Sequence, residues 1–343
     1  MPGVEAESSP HTSRIMSVLI LTSSEIEQLL SMDECIGVMT DALTALARGA
    51  VHQPLRTIVQ PPAASGLMAL MPAYIGQPSA TYGLKVICVF PANPSKGKDA
   101  HQGGVLLFSP DTGELLALMN ASAITAIRTA AVSGVATRAL AREDASSLAI
   151  IGSGVQARTH LAAMAAVRSV RLARVASRHF ENARRFAEEV SSACSFPVEA
   201  VDRVEDAVRG ADLIVVATTA AEPVIRREWL QPGAHVNAVG ASQPHKRELD
   251  TATVKAVSLF ADRRESVLNE AGDYLIAARE AGLGPEHIRA ELGEVLIGAK
   301  PGRTSRSEVT CFKSLGLAVE DVAAAQHLYR RAREERVGRW VEF

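Results

Sequence analysis

The spacing of apolar residues changes period along the chain, and each change marks a different kind of structure. Residues 15–21 form a short apolar run, read as a first strand. Two helical segments follow, each opened by a capping pair. Thr22 stands three residues before Glu25, and Ser31 three before Glu34, so that side chain and carboxylate satisfy each other's exposed amides. In the second segment Cys35, Val38, Met39, Ala42 and Leu46 recur at helical spacing, and Gly49 ends it. From 55 to 119 the pattern breaks into short β-prone runs (55–60, 67–71, 83–90, 105–109, 114–119) separated by Pro, Gly and Asn. Pro110-Asp-Thr-Gly113 reads as a hairpin turn, its glycine supplying a positive φ. This region predicts an antiparallel sheet.

An alanine-rich helix over 122–142 leads into a second regime. Apolar strands (148–151, 170–176, 198–201, 213–217, 235–239, 257–261) alternate with amphipathic helices, which predicts a doubly wound parallel sheet. A last helix is expected over 312–332, packing back on the first region.

Composition narrows the function. The 343 residues carry a formal charge of −2, with neither a basic stripe for nucleic acid nor an acidic tail. No apolar run is long enough to span a bilayer. Cys35, Cys88, Cys194 and Cys311 lie far apart, with no C-x-x-C pair and no histidine cluster. Neither a disulfide framework nor a metal site is expected, and a reducing cytoplasm fits best. The polar residues at the start, 1–16, read as a disordered extension.

The chemistry centres on 146–163. Apolar residues 148–151 run straight into Gly152-Ser153-Gly154-Val155-Gln156-Ala157 and then into a helix. Gly152 permits a tight turn, Gly154 lets a backbone amide approach a pyrophosphate, and Ala157 keeps helix and strand close. About 20 residues further on, where an acidic residue would grip a ribose hydroxyl, the strand ends in Ser177-Arg178-His179. The planar donors of Arg178 and the Ser177 hydroxyl suit a 2′-phosphate, favouring NADPH over NADH, although a solvated arginine would look the same.

Three cations stand out in the first region. Lys85 sits among Leu84, Val86 and Ile87, where burial should lower its pKa and suit it to proton transfer, unless it snorkels at a strand end. Arg56 and Arg128 suit a substrate carboxylate, the competing reading being surface ion pairs. His101 and His245 stand alone and read as structural.

The run Gly83-Leu-Lys85, the string from Ile124 through Arg128 to Ser133, the glycine loop and Phe312-Lys-Ser-Leu-Gly-Leu-Ala-Val-Glu-Asp321 together resemble the ornithine cyclodeaminase/μ-crystallin family, over residues 17–335. The resemblance implies a Rossmann-type α/β domain (126–310) plus an α/β substrate-binding domain (17–125 with 311–343), whose sheets meet in a homodimer. It implies a small imino- or amino-acid substrate held by Arg56, Lys85 and Arg128, with Lys85 and Arg128 in the catalytic step and Met71 and Ser242 nearby. It further implies a dinucleotide held by Gly152, Ser153, Gly154, Val155, Gln156, Thr218, Thr219, Val239 and Ser242, with Ser177 and Arg178 as a 2′-phosphate site. The family more often has aspartate where Asn120 stands.

Two departures select a branch. Cyclodeaminases carry an aspartate at the position of Ser242 in Gly240-Ala-Ser242-Gln-Pro244, and a glutamate at that of Ala69, two residues before Met71-Pro72. Without those carboxylates the resemblance points to the ketimine-reductase branch. The expected reaction is NADPH-dependent (NADH possible) reduction of a cyclic imino carboxylate, such as pyrroline-2-carboxylate or piperideine-2-carboxylate, to proline or pipecolate. The alternatives are an alanine-dehydrogenase-like activity, ornithine or lysine cyclodeamination, and a binding protein for a thyroid-hormone-like ligand.

Overall fold

The computed structural model describes residues 17–343, so the extension expected over 1–16 lies outside the described residues. The chain opens with β1 (Ser17–Leu21), α1 (Ser23–Leu29) and α2 (Met32–Ala47). Both capping pairs form. Thr22 N donates to Glu25 Oε2 at 2.8 Å and Ser31 N to Glu34 Oε2 at 3.1 Å. Helix α2 buries Cys35, Ile36, Met39, Ala42 and Leu43, with Val38 and Leu46 at the margin, and ends just before Gly49 at φ +75°.

Strands β2 (Val51–His52), β3 (Thr57–Val59), β4 (Leu67–Ile75), β5 (Thr81–Val89), β6 (His101–Phe108) and β7 (Leu115–Asn120) pair antiparallel, as the short runs broken by turn residues predict. The hairpin closes where Ser109 N donates to Glu114 O at 2.9 Å, with Gly113 at φ +75°. Strand β1, for which the pattern names no partner, adds to β7 in parallel. Alternation records which face a strand buries but not which neighbour it takes.

Helix α3 (Ala121–Leu140) is capped by the Asn120 side chain, which accepts from Ala123 N at 3.0 Å. A capping amide does here what a capping carboxylate would do, and this is the role of that residue. The helix is buried on nearly every side, against α2 and the helices named next, and its alanines permit that close approach.

The second sheet comprises β8 (Ser147–Ile151), β9 (Leu172–Ala176), β10 (Val198–Ala200), β11 (Leu213–Val216), β12 (His235–Ala238), β13 (Ser258–Ala261), β14 (Ile288–Glu291) and β15 (Thr310–Lys313). Between them run α4 (Val155–Val167), α5 (Phe180–Ser191), α6 (Val204–Val208), α7 (Thr251–Ala256), α8 (Arg264–Glu270), α9 (Gly272–Ala281) and α10 (Leu292–Leu296). All pairings are parallel, in the order β10-β9-β8-β11-β12-β15-β13-β14. The chain ends with α11 (Ala318–Glu335) and β16 (Arg339–Glu342), which pairs with β1 at the edge of the first sheet.

The helix expected over 312–332 therefore begins only at Ala318. Thr310 to Lys313 are fully buried as a strand between β12 and β13, and Gly316 at φ +77° turns the chain before the helix. A division at 310/311 thus falls inside β15, and one at 125/126 inside α3.

One face of the first sheet, bearing Ala69, Met71, Ala73, Gly83, Lys85, Ile87, Val105 and Met119, is covered by α3 and α11. A side chain at Gly83 would collide with Val322 of α11. On the other face Leu70, Leu84, Val86 and Leu106 are half-buried, while Tyr82 and Leu118 are exposed. No helix among the described residues is long and apolar enough to cross a membrane.

Candidate active site

The first half of the site lies where β8, β9, β11 and β12 end. Gly152 adopts φ +119°, and a Cβ there would fall on the carbonyl oxygen of Ala217, so only glycine lets the turn pass beneath the end of β11. Gly154 caps α4, and nothing lies within 4 Å of where its Cβ would be. The next residue, Val155, leaves 61% of its surface exposed at the N-terminus of that helix. Gln156 reaches back to α3, its Nε2 donating to Thr125 O at 3.4 Å, and its buried Oε1 has no partner among the described residues. Ser153 and Ser177 are joined Oγ to Oγ at 3.0 Å, and Arg178 is exposed at the end of β9 with no ion pair among the described residues. An open cradle at the N-terminus of a thirteen-residue helix, flanked by hydroxyls and an unpaired guanidinium, fits a dinucleotide.

The same strand ends carry the other expected cofactor residues. Thr218 donates through N and Oγ1 to Glu248 Oε1, at 2.6 and 2.7 Å. Thr219 is exposed, Val239 is half-buried, and Ser242 stands exposed beyond Ala241, a non-glycine residue at φ +52°.

The second half faces this edge from the first sheet and α11. Lys85, only 2% exposed, pairs in register with Met71 and Val105, and its Nζ donates to Asp321 Oδ1 at 3.0 Å. Burial pushes its pKa down to about 8, against the pull of the Asp321 carboxylate. Arg128 donates through Nε to the same Oδ1 at 2.9 Å, and through Nη1 to Glu320 Oε2 at 2.6 Å. Burial raises the Glu320 carboxyl to about 7, although Arg128 opposes the shift.

Arg56 donates through Nη2 to the carbonyls of Leu315 and Gly316, both at 2.9 Å, and pairs through Nε with Glu270 at 2.9 Å. The amides of those same two residues donate to Asp262 Oδ2, at 2.6 and 2.8 Å. The 315–316 backbone is thus held by a carboxylate on one side and a guanidinium on the other. Arg56, Met71, Arg263, Glu270 and Gly316 line one cleft.

The expected cations therefore converge, but not all in the expected way. Lys85 and Arg128 share Asp321, and Arg56 and Arg128 both approach Gly316. Yet two edges of the Arg128 guanidinium are already given to acids, so it is first a partner of Glu320 and Asp321. Sequence reasoning assigned no role to those acids, although the pair lies in the first turn of α11, where acids suit a helix start. It also missed Asp262 and Glu270, which carry no local signal.

A parallel sheet with a glycine turn at its carboxyl edge, together with a buried lysine from the first sheet and a buried arginine from α3, defines a two-domain dinucleotide-dependent class of protein. The chain belongs to the ornithine cyclodeaminase/mu-crystallin family, whose model matches residues 16–336. It is 42% identical over 281 residues to ketimine reductase mu-crystallin of Rattus norvegicus, covering 82% of this chain and 85% of that protein. Among solved structures it is similar to Thermococcus litoralis Delta(1)-pyrroline-2-carboxylate reductase in complex with NADH and L-proline, at 42% identity and TM-score 0.91, over 94% of this chain and 99% of that one. An archaeal alanine dehydrogenase dimer with bound NAD matches at 34% identity and TM-score 0.90, over 96% of this chain and 100% of that one. The fold class and the family expected from the motifs both hold.

Proposed function

We propose that this protein is an oxidoreductase that uses NADPH, or NADH, to reduce a cyclic imine adjacent to a carboxylate, giving a cyclic amino acid such as proline or pipecolate. The observation that carries the reading is Lys85, a buried amine that shares Asp321 with Arg128 and whose pKa burial brings down to about 8. The relative solved with NADH and L-proline supports the same substrate class.

When bound, the nicotinamide supplies the hydride. The chain's own residues do the rest. Lys85 holds a proton for the ring nitrogen, which makes the neighbouring carbon the better electrophile, and Asp321 keeps the amine oriented. Arg56 exchanges backbone carbonyls for the substrate carboxylate while Glu270 retains its Nε, and Nη2 of Arg128, which neither acid takes, assists. Met71 borders the ring and Ser242 closes the cofactor side. That orientation supplies much of the rate. Residues 69 and 242 are alanine and serine, so neither position offers the carboxylate that ring-closing deamination uses.

A labour division follows. The first sheet with α1, α2, α3 and α11 holds substrate, and the second sheet holds dinucleotide. We infer a homodimer through the open face of the first sheet, in keeping with the archaeal relative described as a dimer. Four scattered free cysteines, two of them buried, fit a cytoplasmic location.

The deciding experiment is oxidation of NADPH and NADH across a panel of cyclic ketimines and 2-oxo acids, with and without ammonia. Turnover of a cyclic ketimine without ammonia is expected. Turnover only of 2-oxo acids, and only with ammonia, would establish instead the amino-acid dehydrogenase reading that the alanine dehydrogenase relative favours.

A further inference from the structure

Beneath the turns that follow β11 and β12 lies a buried charged group that the chemistry above does not use. Lys313, the last residue of β15, donates its ammonium to the Gly240 carbonyl and to Asp273 Oδ2, the latter at 2.8 Å. Asp273 Oδ1 in turn accepts from the backbone amides of Glu248 and Leu249, at 2.6 and 2.9 Å. Glu248 completes the chain by accepting both donors of Thr218 on Oε1. All three charged side chains are almost wholly buried. Gly240 lies at the centre, since a side chain there would strike both the Glu248 carboxyl and the Thr218 carbonyl.

Burying three charges is expensive, and apolar residues of similar volume commonly fill such a space at no loss of stability. What the charges do here is geometric. They reach buried and part-buried backbone groups from three different elements, β15, α9 and the segment before α7, and join the 218–219 turn to the 240–242 turn. The second of these contains Ala241 in a left-handed conformation, which costs energy and persists only where its surroundings impose it. Both turns stand at the edge that carries Gly152 and Gly154.

We propose that Lys313, Asp273 and Glu248 are positioning residues for the dinucleotide, locking the 218–219 and 240–242 turns into one rigid unit. They set cofactor affinity rather than affinity for the imine. The inference rests on the reading that this protein binds a nicotinamide dinucleotide.

The test is fluorescence titration of the full-length protein with NADH and NADPH, alongside thermal melts and steady-state kinetics. Lys313→Met alone strands a buried carboxylate and should melt early. Lys313→Met combined with Asp273→Asn removes both charges, and the amide oxygen introduced at position 273 can still accept from the two backbone amides. The double variant should regain most of its melting temperature yet bind dinucleotide about tenfold or more weakly, with KM for the imine at saturating cofactor changed by less than about threefold. Glu248→Gln, which keeps an acceptor for Thr218, should stay within about threefold of wild type, whereas Glu248→Ala should lose about tenfold. Wild-type dinucleotide affinity in the double variant or in Glu248→Ala, or parallel loss of imine and dinucleotide binding, would overturn the proposal. A wild-type protein that bound neither dinucleotide would overturn the functional reading itself.

Discussion

Lys85 and Asp321 are 236 residues apart in the chain, and their side chains meet at 3.0 Å in the space between the first sheet and α11. Asp321 Oδ1 receives both the Lys85 ammonium and Nε of Arg128, and Glu320 takes Nη1 of the same arginine. Two cations and two acids are thus enclosed together, which holds the lysine in place without making the pocket strongly charged. A lone buried lysine would give up its proton more readily still.

That pairing sets a pH dependence. Burial brings Lys85 to about 8, while the Asp321 carboxylate works to keep it protonated. If the lysine acts as the proton holder, kcat should be level below about pH 8 and fall about tenfold per unit well above it. Asp321→Asn should move that limb to lower pH, and a limb that stays put would refute the coupling. The effect on folding has the opposite slope. Between about 8 and its unfolded value of 10.5 the folded lysine binds less proton than the unfolded one, so this group's contribution to stability rises with pH across that window.

The two glycines of the phosphate turn should fail in different ways. Gly152 is needed by the protein itself, because it holds φ +119° with the Ala217 carbonyl where a Cβ would go. Gly152→Ala should therefore destabilise the protein without any cofactor, by about 1–3 kcal/mol or more. Gly154 sits at φ −89° with open space beside it, so Gly154→Ala should leave the ligand-free melting temperature almost unchanged. It should still weaken NADH binding about tenfold or more, since the methyl occupies ground the pyrophosphate needs. Equal affinity in Gly154→Ala and wild type, by fluorescence titration, would mean that the phosphates lie elsewhere.

How much of this was legible in the sequence depended on whether the information was local. Capping pairs, the hairpin at Gly113, the glycine turn and an unusual lysine inside an apolar strand all obey rules that span a few residues, and the structure contains them. Phe312 and Lys313, the second half of β15, read as the start of the last helix because a four-residue buried strand joined to a helix offers no period of its own. Arg128 was legible as a special cation, but its partners are nearly 200 residues away, and only the fold reveals that they are acids. Glu248 and Asp273 gave no signal, and Lys313 stood in the 312–321 string without a role of its own. A charge looks solvated in sequence until the elements that bury it are assembled.

The open face of the first sheet yields a test of assembly. Leu118 is 39% exposed in the single chain, opposite Leu106 in register, on a face that also carries Leu84 and Tyr82. Leu118→Glu should cost the isolated fold little, because the side chain is at the surface. Across a sheet-to-sheet interface it would bring unpaired carboxylates into apolar surroundings, which is costly. Light scattering after gel filtration should show the mass falling from dimer to monomer at micromolar concentration. An unchanged mass would place the interface on another surface.

Cofactor choice should turn on Arg178. It is exposed, has no ion pair among the described residues, and follows Ser177, whose hydroxyl is already tied to Ser153 in the phosphate turn. A guanidinium at the end of the second strand gains a charged hydrogen bond from a 2′-phosphate that a 2′-hydroxyl cannot offer, worth about 1.5–3 kcal/mol. Arg178→Ala should therefore raise KM for NADPH by about 10- to 100-fold while leaving KM for NADH within about threefold. Arg178→Asp should go further and prefer NADH, since a carboxylate there repels the phosphate and accepts from the hydroxyl instead. Side-by-side initial rates with the two cofactors measure this directly. If both KM values move together, the arginine is a solvated strand end, and discrimination resides in the neighbouring hydroxyls.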